Sequence, residues 1–138
     1  MTDSSVPAKT ARKVLLTGAT GFLGHHVAHA LVRHGYEVVA LCRDPDGDAA
    51  RRLPQGGARL HGDVLDPDAV GSAALGCEAV IHCAGKVSRD PDDALQLTRV
   101  NHDGTLVVLE ASKKAGIKRA VLASTSGTFA ISDDPDHV

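Results

Sequence analysis

The sequence predicts an α/β fold built on a doubly wound parallel sheet with strands in the order 3-2-1-4-5. Short apolar runs alternate with longer amphipathic segments along the chain, which is the pattern of repeated strand–helix units. Four of the five apolar runs are almost continuous in Val, Ile, Leu and Ala, as expected of parallel strands that are buried on both faces. Right-handed crossovers then place helices on both sides of the sheet.

The first strand–helix unit is predicted from the apolar run 13–17, KVLLT, and the helical pattern over 22–33. Gly35 ends this helix, because glycine readily adopts the left-handed conformation found just past a helix C-terminus. The apolar run 37–42, EVVALC, is the second strand. Residues 44–58 are predicted as a loop with one short helix, since Pro, Gly and Asp recur in DPDGDAARRLPQGGA.

The second half of the chain repeats this pattern. The third strand, in ARLHGD, ends near Asp63 and is followed by a short helix over 66–75. The fourth strand is AVIHC at 79–83, and the segment 92–115 is long enough for the longest helix of the chain. The fifth strand is RAVLAS at 119–124.

The composition indicates a single domain that binds neither nucleic acid nor membranes. The 138 residues include 15 Lys and Arg and 17 Asp and Glu, so the formal net charge is −2, and the charges are scattered along the chain. No run approaches the ~20 apolar residues that span a bilayer. The cysteines Cys42, Cys77 and Cys83 lack metal-type spacing and favour reduced thiols and a cytoplasmic location. Residues 1–11 are predicted as a flexible polar tail and 12–138 as the folded domain.

Three glycines at intervals of three follow the first strand in TGATGFLG, residues 17–24. Gly18, Gly21 and Gly24 would let the backbone turn tightly, let a pyrophosphate approach without a Cβ in its way, and let the helix pack closely on the strand. The N-terminus of the helix adds free N–H groups and the positive end of its dipole. The spacing G-x-x-G-x-x-G differs from the usual G-x-G-x-x-G dinucleotide fingerprint, and a purely structural turn is the alternative.

Five linked motifs carry a resemblance to a known family. They are TGATGFLG, GDVLD at 62–66, VIHCAG at 80–85, RVNHDGTLVVLEAS at 99–112 and AGIKRAVLASTS at 115–126. In this order and spacing they resemble the N-terminal part of the extended short-chain dehydrogenase/reductase family, with its NAD-dependent epimerases and dehydratases. The run GYEVVALCRDP is most similar to the dihydroflavonol reductase-like branch. The resemblance implies a Rossmann-type doubly wound sheet that lacks the C-terminal strands and the substrate lobe.

The resemblance implies an NAD(P)-dependent oxidoreductase or epimerase/dehydratase that acts on a small carbonyl or hydroxyl compound. Asp63 would accept a hydrogen bond from the adenine amino group, residues 83–85 would line the ribose and nicotinamide side, and Asn101 would tie its helix to this region. Ser126 is the catalytic residue implied, and it would orient the substrate. Strand-end packing is the alternative for Cys83, and local backbone capping for the serines. The implied cofactor-binding residues are Gly18, Thr20, Gly21, Phe22, Leu23, Gly24, Arg43, Asp63, Val64, Cys83, Ala84, Gly85, Asn101 and Ser124.

The end of the second strand predicts NADP as the cofactor, with NAD as the alternative. In such folds a carboxylate at this position binds the adenosine ribose hydroxyls of NAD and repels the 2′-phosphate of NADP. Here the position is Cys42, and the guanidinium of Arg43 beside it would bind a phosphate by paired charge-assisted hydrogen bonds. The branch that the sequence resembles also favours NADPH. The alternative is that Arg43 is a solvated loop cation or pairs with Asp44 or Asp46.

The proton-transfer pair of the family is not found in this sequence. The family uses a tyrosine whose pKa is lowered by a lysine one helical turn further on. The only tyrosine, Tyr36, precedes the second strand and lacks such a lysine, so a packing role is expected. We therefore expect the chain to be the N-terminal, cofactor-binding half of a longer reductase or epimerase that has been truncated. By itself it should have no turnover. It should also self-associate through an exposed fifth strand. A non-catalytic dinucleotide-binding regulatory module is the alternative.

The histidines of the first helix raise the question of a metal site. His25 and His29 lie one helical turn apart, and such a pair can bind zinc. No acidic residue or third ligand accompanies them, so we expect histidines on a helix surface and no metal site. His82 lies in VIHCAG and, by the same resemblance, is expected to be structural rather than catalytic.

Overall fold

The computed structural model describes residues 12–125, which form a five-stranded sheet with helices on both faces. Its strands are β1 (Arg12–Thr17), β2 (Tyr36–Cys42), β3 (Gly57–His61), β4 (Ala79–His82) and β5 (Arg119–Leu122). The strand order is β3-β2-β1-β4-β5, and all neighbouring strands are parallel. The predicted fold class and topology are thereby confirmed.

The α-helices lie between the strands. They are α1 (Phe22–Arg33), α2 (Asp48–Arg51), α3 (Pro67–Ala74), α4 (Ala94–Thr98) and α5 (Gly104–Lys114). The predicted bounds of α1 are confirmed, and Gly35, with a φ of 80°, lies just past its end. α3 follows Asp66, whose carboxylate accepts hydrogen bonds from the amides of Asp68 and Ala69. This cap satisfies two of the amides that a helix N-terminus leaves free.

The long helix predicted over 92–115 is wrong as a single regular element. The structure has a 3-10 turn at Pro91–Asp93, then α4, a π-helical turn at Arg99–Asp103, and α5. Gly104 donates its amide to the carbonyl of Arg99, five residues back, where an α-helix would bond four residues back. Because a hydrophobic pattern tolerates one such extra residue, the sequence pattern did not indicate it.

Three strands are shorter than predicted, and β4 is one of them, since it ends at His82 rather than at residue 83. β3 ends at His61 rather than near Asp63, whose carboxylate accepts the amide of Leu65 at 2.9 Å and turns the chain toward α3. β5 ends at Leu122 rather than at residue 124. All three differences lie at the carboxyl ends of strands, where the chain leaves the sheet.

Two apolar layers cover opposite faces of the sheet, because successive side chains of β1 point to opposite sides. Leu15 packs in a layer with Val70 of α3 and Val108 of α5. Leu16 packs in the other layer with Ala28 of α1. Both leucines are fully buried, which places β1 at the centre of a doubly wound sheet.

The parallel register brings the carboxyl ends of three strands to one edge. Thr17, the last residue of β1, pairs with Leu41 on β2 and with His82 on β4. The strand order reverses at β1, since β2 lies on one side of it and β4 on the other. In open α/β sheets a ligand-binding crevice forms outside the carboxyl ends at such a point.

The outer edge of β5 is not covered by residues 12–125. All four of its residues are exposed, including Val121 at 58% and Leu122 at 41%. An apolar edge strand with unpaired backbone groups is a template for pairing with another chain.

The predicted tail, residues 1–11, and the predicted catalytic residue Ser126 lie outside residues 12–125. Within that range no helix is both long enough and apolar enough to cross a membrane.

Candidate functional site

A crevice of about 540 Å³ lies at the carboxyl ends of β1, β2 and β4. Its lining comes from the loops that follow β1 to β4, together with the end of β2, α4 and the π-helical turn. The predicted cofactor residues that line it are Gly18, Thr20, Gly21, Arg43, Asp63, Val64, Cys83, Ala84 and Gly85. The fold therefore brings together most of the residues that the sequence singled out.

The first glycine of the turn is required by the fold. Gly18 has a φ of +69°, a left-handed conformation that L side chains rarely adopt. A Cβ at this position would lie 2.5 Å from both the amide nitrogen of Ala84 and the carbonyl carbon of Cys83. Glycine thus lets the turn after β1 touch the backbone that leaves β4.

The other two glycines of the turn have different surroundings. Gly24 is buried in α1, and a Cβ there would overlap the carbonyl group of Gly18 and lie 2.9 Å from the Cα of Ala19. Gly21 is exposed, and a Cβ there would meet only the Gly18 carbonyl oxygen, at 3.4 Å, among residues 12–125. Packing therefore requires glycine at 18 and 24, whereas at 21 it keeps space open on the crevice side.

The N-terminus of α1 reaches this edge without a capping side chain. The helix begins directly after Gly21, which has no side chain to accept hydrogen bonds from the amides of the first turn. The first turn of the helix has no acidic residue. Its free N–H groups and the positive end of its dipole are available to an anion. Phe22 and Leu23 form this turn but do not line the crevice, and these two residues are 87% and 51% exposed.

The end of β2 presents a cation and no carboxylate. Cys42 is buried, and burial raises the pKa of its thiol. Arg43 is exposed and takes part in none of the ion pairs found between residues 12 and 125. The suggested pairing with Asp44 or Asp46 is not observed, and Asp44 instead accepts the Asp46 amide at 3.3 Å. The guanidinium is therefore available to a ligand.

The loop after β3 supplies the carboxylate of the crevice. One oxygen of Asp63 accepts the amide of Leu65 at 2.9 Å. Val64 lies against the start of α5, since a Cβ on Gly104 would lie only 2.9 Å from its Cγ2. These two contacts hold the loop in place and keep the Asp63 carboxylate at the crevice.

Residues 83–85 leave β4 beside the glycine turn. The amide of Cys83 donates to the carbonyl of Thr17 at 3.1 Å, and the amide of Ala84 donates to the hydroxyl oxygen of Thr17 at 3.4 Å. Burial raises the pKa of the Cys83 thiol, which disfavours the thiolate form that a nucleophile needs. Because the three side chains are small, the crevice stays open along this wall.

Asn101 does not line the crevice but holds a residue that does. It lies in the π-helical turn, where its Nδ2 donates to the carbonyl of Lys86 at 2.9 Å and its Oδ1 accepts the amide of Lys86 at 2.8 Å. One side chain thus binds both backbone groups of Lys86. Ser124 lies beyond β5, is exposed, and does not line the crevice.

Several lining residues were missed by the sequence reasoning. The Nζ of Lys86 donates to Oε1 of Gln96 at 2.9 Å and lies 3.0 Å from Oδ1 of Asp93. A hydrogen bond from Ser88, and then the Lys86 ammonium, lower the pKa of Asp93. The position of Lys86 directly after VIHCAG, at the carboxyl end of a strand, was the signal that could have identified it. The missed residues are Leu41, Gly62, Lys86, Val87, Gln96 and Val100.

The histidines of α1 lie close together. The ring centroids of His25 and His29 are 4.6 Å apart, and Nε2 of His29 lies 3.3 Å from the carbonyl oxygen of Arg52. Desolvation, and then the neighbouring imidazole of His29, lowers the pKa of His25. Across residues 12–125 no three His, Cys, Asp or Glu side chains are grouped so that they could hold a metal ion.

The chain matches one protein family along nearly its whole length. The NAD dependent epimerase/dehydratase family matches residues 14–137, which confirms the resemblance found in the sequence. Cinnamoyl-CoA reductase 1 of Oryza sativa subsp. japonica is 38% identical over 133 residues, which are 91% of this chain and 38% of that protein. Tetraketide alpha-pyrone reductase 1 of Arabidopsis thaliana is 34% identical over 135 residues, which are 90% of this chain and 41% of that protein. The chain spans about two fifths of the length of these relatives.

Solved structures share the fold. A short-chain dehydrogenase/reductase superfamily protein from Agrobacterium tumefaciens with bound NAD has a TM-score of 0.70 at 32% identity, over 83% of this chain and 33% of that chain. A UDP-glucose 4-epimerase from Thermotoga maritima with UDP-glucose has a TM-score of 0.73 at 28% identity, over 83% of this chain and 38% of that chain. These likenesses agree with the Rossmann-type sheet described above.

Replacing Gly18 tests the contact between the glycine turn and β4. We expect Gly18→Ala to lower the free energy of unfolding by at least about 1–2 kcal/mol, the cost of a left-handed Cβ, with a further cost from overlap with the β4 backbone. Gly71→Ala is the matched control, because a Cβ there has no heavy atom within 4 Å and α3 favours alanine. Urea denaturation followed by circular dichroism measures both variants. Unchanged stability of Gly18→Ala would contradict the contact.

Proposed function

The chain belongs to the NAD-dependent epimerase/dehydratase family, and on this basis we propose that it binds NADP in the crevice. The observation that carries the proposal is the open space at Gly21 beside the uncapped N-terminus of α1. A pyrophosphate fits such a place, because the backbone amides and the helix dipole favour its charge and no Cβ blocks its approach.

The adenosine end is proposed to lie where β2 and β3 end. Asp63 would accept a hydrogen bond from the adenine amino group on the carboxylate oxygen that does not bind Leu65, and the backbone of Val64 would flank the ring. Arg43 would bind the 2′-phosphate of NADP. NAD lacks this phosphate, so a cation at this position favours NADP. NAD is the alternative, since a similar structure carries it.

The nicotinamide end is proposed to lie along residues 83–85. When bound, NADP supplies hydride chemistry at its nicotinamide ring. The small side chains of this wall leave room for the ring, and Asn101 would hold the wall through Lys86. Ser124 is proposed to lie near the nicotinamide, and Ser126, beyond the described residues, to orient the substrate carbonyl or hydroxyl.

The whole protein is proposed to be an oxidoreductase or epimerase that acts on a small carbonyl or hydroxyl compound. The two curated relatives described above are reductases by name. The single tyrosine of this chain, Tyr36, lies at the amino end of β2 with the guanidinium carbon of Arg12 4.7 Å from its ring centre. That end of the sheet is opposite to the crevice, so Tyr36 does not supply the proton-transfer group. We propose that the 138-residue chain by itself binds the cofactor without turnover.

A regulatory module that senses the dinucleotide is the second candidate. Residues 1–138 contain no Tyr-x-x-x-Lys pair, which both candidates allow. The two candidates differ in what the parent reading frame encodes after Val138. A Tyr-x-x-x-Lys motif there supports the enzyme, and its absence supports the sensor.

The cytoplasm is the proposed location. Cys42, Cys77 and Cys83 are all free, and the first two are buried. Free thiols are typical of proteins kept in a reducing compartment.

Titration with NADP and with NAD, by calorimetry, tests the cofactor and the role of Arg43. We expect wild type to prefer NADP and Arg43→Asp to lose at least about tenfold in NADP affinity, equivalent to about 1.4 kcal/mol, because the new carboxylate repels the 2′-phosphate. Lys118→Asp is the matched control, since it makes the same change of charge in the segment before β5, at the opposite end of the sheet. Equal binding of both nucleotides by wild type would rule out the NADP preference, and no binding of either would rule out the cofactor.

Gly21→Ala tests whether the open space at the turn receives the pyrophosphate. The new methyl group has room in the fold, so we expect circular dichroism and the unfolding midpoint to stay close to wild type. NADP affinity should fall by at least about tenfold, because the methyl group occupies the place of the phosphates. Gly71→Ala again serves as the control. Wild-type affinity in Gly21→Ala would show that the ligand does not approach this backbone.

Self-association through β5 is proposed for the isolated chain. Light scattering over a range of concentrations should show an apparent mass above 14.3 kDa that rises with concentration. Val121→Lys should reduce the association, because a lysine on an edge strand disfavours pairing. Leu75→Lys, which replaces a leucine 69% exposed outside the sheet, should not. A monomeric wild type at all concentrations would contradict the proposal.

A further inference from the structure

A chain of hydrogen bonds runs behind the crevice, from the end of β1 through β4 to the π-helical turn. Among residues 12–125 the buried polar or charged residues are Thr17, His82 and Ser112. Two of these bond to each other, with Oγ1 of Thr17 2.6 Å from Nδ1 of His82. On the other side of the imidazole, Nε2 lies 3.0 Å from Oγ1 of Thr105.

The donors and acceptors along this chain fix the tautomer of His82. The hydroxyl of Thr105 donates its single proton to the carbonyl oxygen of Asn101, at 2.7 Å. The Thr105 oxygen must therefore accept the hydrogen bond from Nε2 of His82. His82 is then protonated on Nε2, and its Nδ1 is an acceptor.

This tautomer also fixes the hydrogen bonds on the Nδ1 side of His82. With Nδ1 of His82 as an acceptor, the hydroxyl of Thr17 donates to it, and the Thr17 oxygen accepts the amide of Ala84 at 3.4 Å. All four hydrogen bonds then point in one direction, from Ala84 through Thr17, His82 and Thr105 to Asn101. Each hydroxyl and the imidazole acts once as donor and once as acceptor. Every proton in this series of hydrogen bonds therefore has an acceptor.

The two ends of this series of hydrogen bonds, Ala84 and Asn101, hold the wall of the crevice. Ala84 lines the crevice and touches the place where a Cβ on Gly18 would be. Asn101, at the other end, binds the amide and the carbonyl of Lys86 through its side chain. The imidazole therefore connects the two anchoring points of residues 84–86. A π-helical turn at this position is consistent with a functional role, since such turns often occur at functional sites.

We propose that His82 is a positioning residue for the dinucleotide: in its neutral Nε2–H form it holds residues 84–86 against the glycine turn, and its protonation weakens binding. The proposal rests on the proposed cofactor-binding function. An imidazolium would donate from both nitrogens, and Nδ1 could no longer accept the hydroxyl proton of Thr17. That hydroxyl is fully buried, so its proton would be left without an acceptor.

The surroundings of His82 favour the neutral form near pH 7. Burial alone lowers the pKa of His82, and no charged neighbour is a cause of this change. The titratable groups on the elements around it are Arg12 and Lys13 on β1, Cys83 after β4, Arg119 on β5, Arg99, His102 and Asp103 in the π-helical turn, and Glu110, Lys113 and Lys114 on α5. Because the folded pKa lies below the unfolded value of about 6.5, stability falls as the pH drops below about 6.5 and levels off below the folded pKa. Dinucleotide affinity should fall only as the pH drops through the folded pKa itself.

The test measures NADP affinity by calorimetry in wild type and in His82→Gln, with circular dichroism at each pH. The range runs from about pH 7.5 down to the pH at which the nitrogen chemical shifts of the imidazole show His82 to be protonated. Glutamine keeps an N–H donor toward Thr105 but does not take up a proton. The ratio of the two dissociation constants cancels the titration of the ligand phosphate and of the other histidines. We expect wild type to lose at least about fivefold relative to His82→Gln as the pH falls, the effect of one broken buried hydrogen bond. A constant ratio with intact binding overturns this proposal alone, whereas a folded wild type that binds no nucleotide overturns the proposed function as well.

A second pair of variants keeps the proposal testable if His82→Gln does not fold. Thr105→Val removes the acceptor of the Nε2 proton, and we expect a loss of about fivefold in NADP affinity near neutral pH. Thr98→Val is the matched control, because the Thr98 hydroxyl also donates to the carbonyl four residues back, at 3.1 Å, whereas the hydrogen bond of His82 goes to Thr105. Equal affinities of the two variants overturn the proposal.

The tautomer can be observed without any ligand. Nitrogen chemical shifts of the imidazole distinguish the Nε2–H form, the Nδ1–H form and the imidazolium. We expect the Nε2–H form of His82 near neutral pH in wild type, and a change of tautomer or of its pH dependence in Thr105→Val. An Nδ1–H form or an imidazolium in wild type overturns the proposal.

Discussion

The close contact between the glycine turn after β1 and the backbone that leaves β4 is the constraint on which the rest of the site depends. Gly18 takes a left-handed conformation against Cys83 and Ala84, where no side chain fits. Gly24 then brings α1 against the same turn, so the helix N-terminus lies at a set distance from the wall at residues 83–85. This contact lies where three strands end, so it fixes the glycine turn against the wall at the centre of the crevice.

Polar groups around the crevice are divided into those left available and those that bind one another. The first turn of α1 has no cap and Arg43 has no ion-pair partner within residues 12–125, so both are available to a charged ligand. Behind the wall, Thr17 hydrogen-bonds to His82 and His82 to Thr105, and no proton of these side-chain hydrogen bonds is without an acceptor. A buried network of this kind gives a rigid support, whereas the groups in front of it gain their partners when a ligand arrives.

Local sequence signals predicted the fold well, but they could not predict contacts between residues that are far apart in the sequence. The bounds of α1 and the sheet order follow from glycine positions and apolar runs, which act over a few residues. The π-helical turn was missed because its hydrogen bonds barely disturb the hydrophobic period. Partners such as Thr17 with His82, 65 residues apart, leave no trace in either segment alone. The predicted crevice residues depended on motifs at strand ends, and Lys86 lay one residue beyond such a motif.

The most direct measurement of the central claim is an amide chemical-shift titration of the nitrogen-15 labelled chain with NADP. We expect the amide signals of Gly18, Gly21 and Gly85, at the carboxyl edge of the sheet, to shift as the nucleotide is added. The glycines that precede strands at the amino edge, Gly35, Gly76 and Gly116, should not shift. Shifts confined to the second group, or no shifts in a folded chain, would contradict a dinucleotide site built on the glycine turn.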